Sequence, residues 1–117
     1  MNQKILFVDD MPEVYAKIKS PKNMDYASNF EDARYLLYCK RYNLLITDFH
    51  LGKKAPKGGL DLIKIAKSIG IEAILISSQN HEEEALDAGA DKFIFKKEFI
   101  EGTWKGLNLI QLINQKG

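Results

Sequence analysis

Three stretches of the chain, Lys4-Ile-Leu-Phe-Val8, Leu44-Leu-Ile-Thr47 and Ala73-Ile-Leu-Ile-Ser77, are apolar almost without interruption. None alternates apolar with polar residues, so none suits a strand with one face in water. Continuous runs of this length suit strands covered by helices on both faces. Lys92-Phe-Ile-Phe95 is a weaker fourth run. Segments of helical period lie between them. Ser28-x-x-Glu31 has capping-box form and leads into Ala33, Leu36, Leu37 and Cys39, which predicts an amphipathic helix to about Arg41. After Gly58-Gly59, the positions Leu62, Ile65, Ala66 and Ile69 keep three-four spacing, and Gly70 supplies a stop. Pro12 suits the first turn of a helix that buries Val14 and Ile18, and Pro21 keeps that helix short. Met24 to Ala27 reads as a faintly marked strand, Glu82 to Ala88 as a short helix closed by Gly89, and Trp104, Leu107, Ile110 and Ile113 as a last apolar stripe. Five β-then-α units in this order predict an α/β fold: a doubly wound, parallel five-stranded sheet with right-handed crossovers, in which the first and fourth helices are shortened.

The length of 117 residues bounds this to a single domain spanning 1–117, with no internal repeat, low-complexity segment or linker. A domain of this size buries about two thirds of its unfolded surface and needs neither disulfide nor structural metal. The lone Cys39 agrees and favours a reducing, cytoplasmic setting. The opening MNQKILFVDD is too short in its apolar part, and too acidic after it, for a signal peptide. No run approaches the roughly 18 apolar residues of a membrane span, so no membrane partner is expected. With 17 basic against 16 acidic side chains and a net charge of +1, direct nucleic-acid binding is not expected either.

In a sheet of this kind ligands bind beyond the carboxyl ends of the strands. The residues there are Asp9 and Asp10 after the first strand, Asp48 after the third, Ser77 and Ser78 after the fourth, and Lys96 and Lys97 after the fifth. Three converging carboxylates repel one another, each pair by about 4 kcal/mol at 4 Å for an effective dielectric near 20. A hard divalent cation offsets this, and Mg²⁺ commonly binds through one or two carboxylates together with phosphate oxygens and water. A lysine ammonium and a serine hydroxyl suit phosphoryl oxygens. Each piece alone has a plainer explanation as a helix cap, a solvated acid or a surface charge. Acid, acid, hydroxyl and ammonium delivered to one edge by four strand ends is a coherent set.

Ile5-Leu-Phe-Val-Asp-Asp10, Leu44-Leu-Ile-Thr-Asp-Phe-His-Leu51, Gly59-Leu-Asp-Leu-Ile63, Ile74-Leu-Ile-Ser-Ser78 and Ala88-Gly-Ala-Asp-Lys-Phe-Ile-Phe-Lys96 together resemble the receiver domain of two-component response regulators. The resemblance spans nearly the whole chain. It implies a (βα)5 flavodoxin-like fold in which Asp48 accepts a phosphoryl group from a histidine kinase or a histidine phosphotransfer protein. It also implies that Asp9, Asp10, Asp48 and the backbone carbonyl of His50 hold Mg²⁺, that Ser77 and Lys96 contact the phosphoryl group, and that Phe93 is the aromatic that turns when Ser77 moves. His50, Ser78 and Gln79 stand where the lifetime of the phosphorylated form would be tuned.

The chain departs from the family's pattern in four places. Lys97 stands where proline is common, which removes the usual reason for a cis peptide after Lys96, since cis bonds at other residues cost about 2.5–4 kcal/mol. The loop Gly52-Lys-Lys-Ala-Pro-Lys-Gly-Gly59 is long and basic and is expected to be a solvated face. The first helix is short on the side where a kinase would dock, so the partner's identity is not carried over. The fourth helix has room for only about two turns and could order or melt at modest cost. The expectation is a stand-alone phosphoacceptor switch that is not an enzyme. The alternatives are a degenerate receiver acting as a constitutive interaction module, and a phosphatase using Asp48 as covalent nucleophile. Haloacid-dehalogenase-type phosphatases usually carry a second Asp two residues on, where this chain has His50. Neither a Walker A sequence nor Gly-x-Gly-x-x-Gly follows the first strand.

Overall fold

The computed structural model describes residues 4–18 and 23–101. Within them the elements are β1 (Ile5–Val8), α1 (Pro12–Lys17), β2 (Met24–Ala27), α2 (Phe30–Cys39), β3 (Leu44–Asp48), α3 (Gly58–Ser68), β4 (Glu72–Ser77), α4 (Glu82–Asp87), β5 (Lys92–Phe95) and α5 (Lys96–Glu101). The strands form one parallel sheet in the order β2-β1-β3-β4-β5. This is the flavodoxin-like order, and its switch point falls between β1 and β3. The expected (βα)5 fold is the observed one, with α1 and α4 of six residues each. The stripe from Trp104 to Ile113 lies outside the described residues.

The apolar runs are buried because both faces of the sheet are covered. Leu6, Val8, Leu45, Ala73, Leu75 and Phe93 point to one side and pack with Ala33 and Leu37 of α2, Leu62, Ile63 and Ala66 of α3, and Ala85 of α4. Ile5, Phe7, Ile46, Ile74, Ile76 and Ile94 point to the other, against Val14 and Ile18 at α1 and Phe99 of α5. Alternate residues of each strand therefore serve opposite cores, the period-two consequence of the pleat.

Three local readings are corrected. The cap of α2 is Asn29 rather than Ser28: its side-chain oxygen accepts from the Asp32 amide at 2.8 Å, and its Nδ2 donates to Asp32 Oδ2 at 2.9 Å. The helix ends at Cys39, short of Arg41. In α3 the buried stripe is Leu62, Ile63 and Ala66, while Ile65 is half-buried and Ile69, past the last turn, is 44% exposed. Gly70 and Gly89 do close their helices, with φ of +80° and +104° that other residues adopt only under strain. No cis peptide bond occurs among the described residues, Lys96–Lys97 included.

Candidate functional site

The carboxyl ends of β1 and β3 lie side by side in parallel register, Val8 beside Thr47, so the residues that follow them are neighbours at the switch point. Asp9 is buried, with its amide bonded to the Ala27 carbonyl at 3.2 Å and its own carbonyl accepting the Tyr26 hydroxyl at 2.6 Å. Its Oδ1 accepts from the Met11 amide at 2.9 Å, which turns the chain into α1 and leaves Asp10 exposed. Asp48 is the last residue of β3 rather than a loop residue, and it too is buried. The next amide, Phe49 N–H, donates both to Asp48 Oδ1 at 2.9 Å and to the Ile76 carbonyl of β4 at 3.1 Å.

Lys96 completes the set from the other side of the sheet. β5 passes without a break into α5, so Lys96 is the first residue of that helix. Its Nζ stands 3.0 Å from Oδ2 of both Asp9 and Asp48. It is aligned as a hydrogen-bond donor on Asp48 alone, so Asp9 Oδ2 is a fully buried oxygen with close positive charge but no aligned donor. Burial pushes the Asp9 carboxyl above its ordinary range, against the Met11 amide and Lys96, which favour the charged form. Burial likewise raises Asp48, against Lys96 and the Phe49 amide. For Lys96 burial works toward the neutral amine, and the hydrogen bond and charge of Asp48, with the charge of Asp9, outweigh it and hold the ammonium above its usual range.

Oxygens of Asp9, Asp10 and Asp48 lie within 4.8 Å of one another. Two oxygens on opposite sides of one small divalent cation at about 2.1 Å each would be about 4.2 Å apart, so side-chain shifts of a fraction of an ångström would bring the three carboxylates onto one ion. Asp9 Oδ2 is the buried atom such an ion would satisfy, and one ammonium against three carboxylates leaves the charge for it. The cluster could hold a metal.

The other expected site residues fall around this centre. Ser77, the last residue of β4, is buried, and its Oγ accepts from the Gln79 amide at 3.2 Å. Ser78, Gln79 and His50 are exposed on the rim. His50 Nδ1 accepts the Gly52 amide at 3.3 Å, so that nitrogen is used within the loop. Phe93 is turned inward against the core, its ring 5.2 Å from that of Phe95 in an edge-to-face contact. Of the loop lysines, Lys53 and Lys54 are exposed, and Lys57 reaches Glu84 of α4 at 3.7 Å.

Two features are not legible in the sequence. The Tyr26 hydroxyl braces the backbone of Asp9, although β2 is only faintly marked as a strand. Phe49 and His81 stack face to face, centroids 3.7 Å apart and planes within 3°, next to Asp48. No residue spacing announces either, because both depend on how separate loops pass one another.

No protein-family model and no curated protein sequence matches the chain. Solved structures do. A two-component response regulator from Clostridium difficile aligns at TM-score 0.76 with 21% identity, covering 98% of each chain. The receiver domain of Francisella response regulator 1452 aligns at 0.69 with 20% identity, over 97% of this chain and 93% of its own. The Thermotoga maritima response regulator TrrA, solved with Mg²⁺ and BeF, aligns at 0.67 with 23% identity, over 80% and 86%. The chain spans only 62% of the Salmonella typhimurium RcsB chain it matches. The fold is that of response-regulator receiver domains, and among the described residues no helix is long and apolar enough to cross a membrane.

Proposed function

We propose that the protein is a phosphoacceptor receiver of a two-component or phosphorelay system, modified on Asp48 with the help of Mg²⁺. The carrying observation is the placement of one ammonium 3.0 Å from both Asp9 and Asp48, with Asp10 alongside, at the switch point of a receiver-type sheet. Asp9, Asp10, Asp48 and the His50 carbonyl would hold the ion. Bound there, Mg²⁺ would neutralise charge on the phosphoryl oxygens. The Asp48 carboxylate attacks phosphorus in line with the leaving group, and Lys96 spreads its charge over the phosphoryl oxygens that become electron-rich. The Ser77 hydroxyl, which accepts a hydrogen bond at its oxygen from Gln79, keeps its proton free to donate to the new group. As Ser77 turns toward it, Phe93 gains room to follow, and the surface of α4, β5 and α5 is biased. Phe93 lacks a hydroxyl, so this bias acts through packing alone. Lys96 is already an ion-pair partner of both acids, so a constitutive module with no use for the site is the poorer reading.

The donor would be a histidine kinase or phosphotransfer protein and the output a downstream protein partner. Neither nucleic acid nor a membrane is called for by a chain of net charge +1, and the cytoplasm is where its donors would be met. Acetyl phosphate with Mg²⁺ tests the reading without a kinase: the carboxylate takes the phosphoryl group and acetate leaves. Intact mass is expected to show one added phosphoryl group in the wild type and none in Asp48→Asn. An unlabelled wild type, under conditions that label a known receiver, would overturn it.

His50 and Gln79, both exposed on the rim of the site, would flank the path by which water reaches Asp48. Replacing either with alanine is expected to change the lifetime of the phosphorylated form more than its rate of formation. Equal effects on both rates, followed by intact mass over time, would remove them from a tuning role.

A further inference from the structure

The helix α4 has little to hold it. It has six residues, too few to be stable by its own hydrogen bonds, and Ala85 is the single buried side chain it contributes. Leu86 is 49% exposed. Three acids in the first turn suit the helix dipole, and Asn80 Oδ1 accepts the Glu82 amide at 3.0 Å, but neither feature fixes the helix to the rest of the molecule.

What fixes it is the residue just before it. His81 lays its ring on Phe49 at 3.7 Å, and its Nδ1 lies 2.8 Å from Glu84 Oε1, where it donates to the carboxylate. Glu84 is also paired with Lys57, at the start of α3, across 3.7 Å. The His81 hydrogen bond, more than the Lys57 charge, holds the Glu84 carboxyl below its ordinary range. The His81 carbonyl accepts the Ala85 amide at 2.9 Å, so the same residue begins the helix ladder. On the other side, the backbone amide of Phe49 is the donor on Asp48 Oδ1. One side chain therefore touches both the residue that holds Asp48 and the helix beyond it.

We propose that His81 is a positioning residue that couples the state of Asp48 to the order of α4: its ring clamps Phe49, whose amide holds Asp48, while Nδ1 anchors the helix through Glu84. This route is separate from Ser77 and Phe93, and its phosphorylation arm rests on the receiver reading above. Changing the acceptor at Asp48 alters the hold on the Phe49 amide, and the stack passes that change to a helix otherwise tied, among the described residues, by Ala85 and the Lys57–Glu84 pair. By linkage, loosening α4 loosens Phe49 in turn.

Amide exchange of residues 85–90 in the full-length chain reads the coupling. Without metal or phosphodonor, His81→Ala is expected to speed exchange there roughly tenfold, the scale set by losing a ring pair from a locally opening segment. His81→Phe, which keeps a ring over Phe49 but loses the bond to Glu84, should recover only part of the protection. Asp48→Asn should shift the same amides in the wild-type background and leave them unmoved in His81→Ala. Exchange in His81→Ala equal to wild type, or an Asp48→Asn effect that is the same with and without His81, would overturn the proposal. After acetyl phosphate and Mg²⁺, labelled wild type should shift in this segment and labelled His81→Ala should not; an equal shift would count against the coupling. Failure of the wild type to label would sink the receiver reading only, because the first two comparisons need no phosphodonor.

Discussion

Gly59→Ala is expected to lower the melting temperature by about 8 °C and to displace Asp48, although alanine is the better helix former. Gly59 is the second residue of α3, and its amide donates to the Phe49 carbonyl at 3.0 Å. A methyl group built there would overlap the Asp48 carbonyl oxygen and meet the Asp48 carbonyl carbon and Phe49 Cα, each at 2.9 Å. All three are backbone atoms at the end of β3, so no side chain can swing aside. Either α3 retracts from the sheet or the end of β3 moves. Forced overpacking of this kind costs about 1–3 kcal/mol and occasionally more, and each kcal/mol shifts a domain of this size by roughly 4 °C. Helix propensity returns about 1 kcal/mol at most.

The neighbouring glycine is the control. A methyl group on Gly58 would meet side-chain atoms of Ala55 at 2.9 Å and Leu51 at 3.2 Å, in a loop that can give. Gly58→Ala is therefore expected to cost far less than Gly59→Ala. Thermal melts of the two variants decide it; equal losses would mean that the close approach to β3 is not what Gly59 serves. The same melts bear on Asp48, because the backbone that Gly59 touches carries it. Gly59→Ala should also label more slowly with acetyl phosphate in the fraction that remains folded.

These glycines show where reading the chain alone succeeds and where it stops. The strands of the sheet interior are legible because burial on both faces leaves continuous apolar runs, and the acids are legible because the fold class makes strand ends the place to look. β2 is faint because Asp25 and Tyr26 on that edge strand are only half-buried. Asn29 displaces Ser28 as the cap since both residues can cap, and Asp32 also accepts from the Asn29 side-chain amide. The α3 stripe slips to Ile63 because helix spacing fixes a face but not its rotation against the sheet. Gly59 reads as a helix start, while its closeness to Asp48 follows from the path of a loop that no periodicity encodes. The His81–Phe49 stack is of the same kind. Lys96 does stand at the end of the fifth strand, but nothing in the sequence signals that β5 passes directly into α5.

Asp48→Asn is expected to melt higher than the wild type near pH 7.5 in metal-free buffer, by several degrees, and to lose the stabilisation that Mg²⁺ gives the wild type. The reason lies in what burial does to the acids. Asp9 and Asp48 both have carboxyls raised above the ordinary value by burial. Between the unfolded and the raised folded value the native state binds more protons than the unfolded one, so stability falls as pH rises through that window and stays low above it. At neutral pH these two carboxylates thus oppose folding, and removing one charge also relieves its neighbour. The amide oxygen of the asparagine introduced at this position can still accept from Phe49, though more weakly than a carboxylate, and Lys96 keeps Asp9 as its partner at 3.0 Å. In Lys96 itself burial is outweighed by the two acids, so it contributes stability that is fully present below its unfolded value of about 10.4 and lost only above it, outside the window. Asp25 is held low by the Tyr42 hydroxyl, and at Asp91 burial is outweighed by Lys67 and the Ala73 amide. Both contribute stability that disappears as pH falls, but they are the same in the two proteins and cancel in the difference. The gap between variant and wild type should therefore be largest near pH 7.5 and close toward pH 4. Saturating Mg²⁺, at about 100 times its dissociation constant, stabilises a binding protein by about 2.7 kcal/mol, and it should raise the wild type past the variant. A variant that melts below the wild type at pH 7.5 without Mg²⁺ would show that Asp48 serves the fold rather than burdening it, and an equal response of both to Mg²⁺ would place the ion elsewhere.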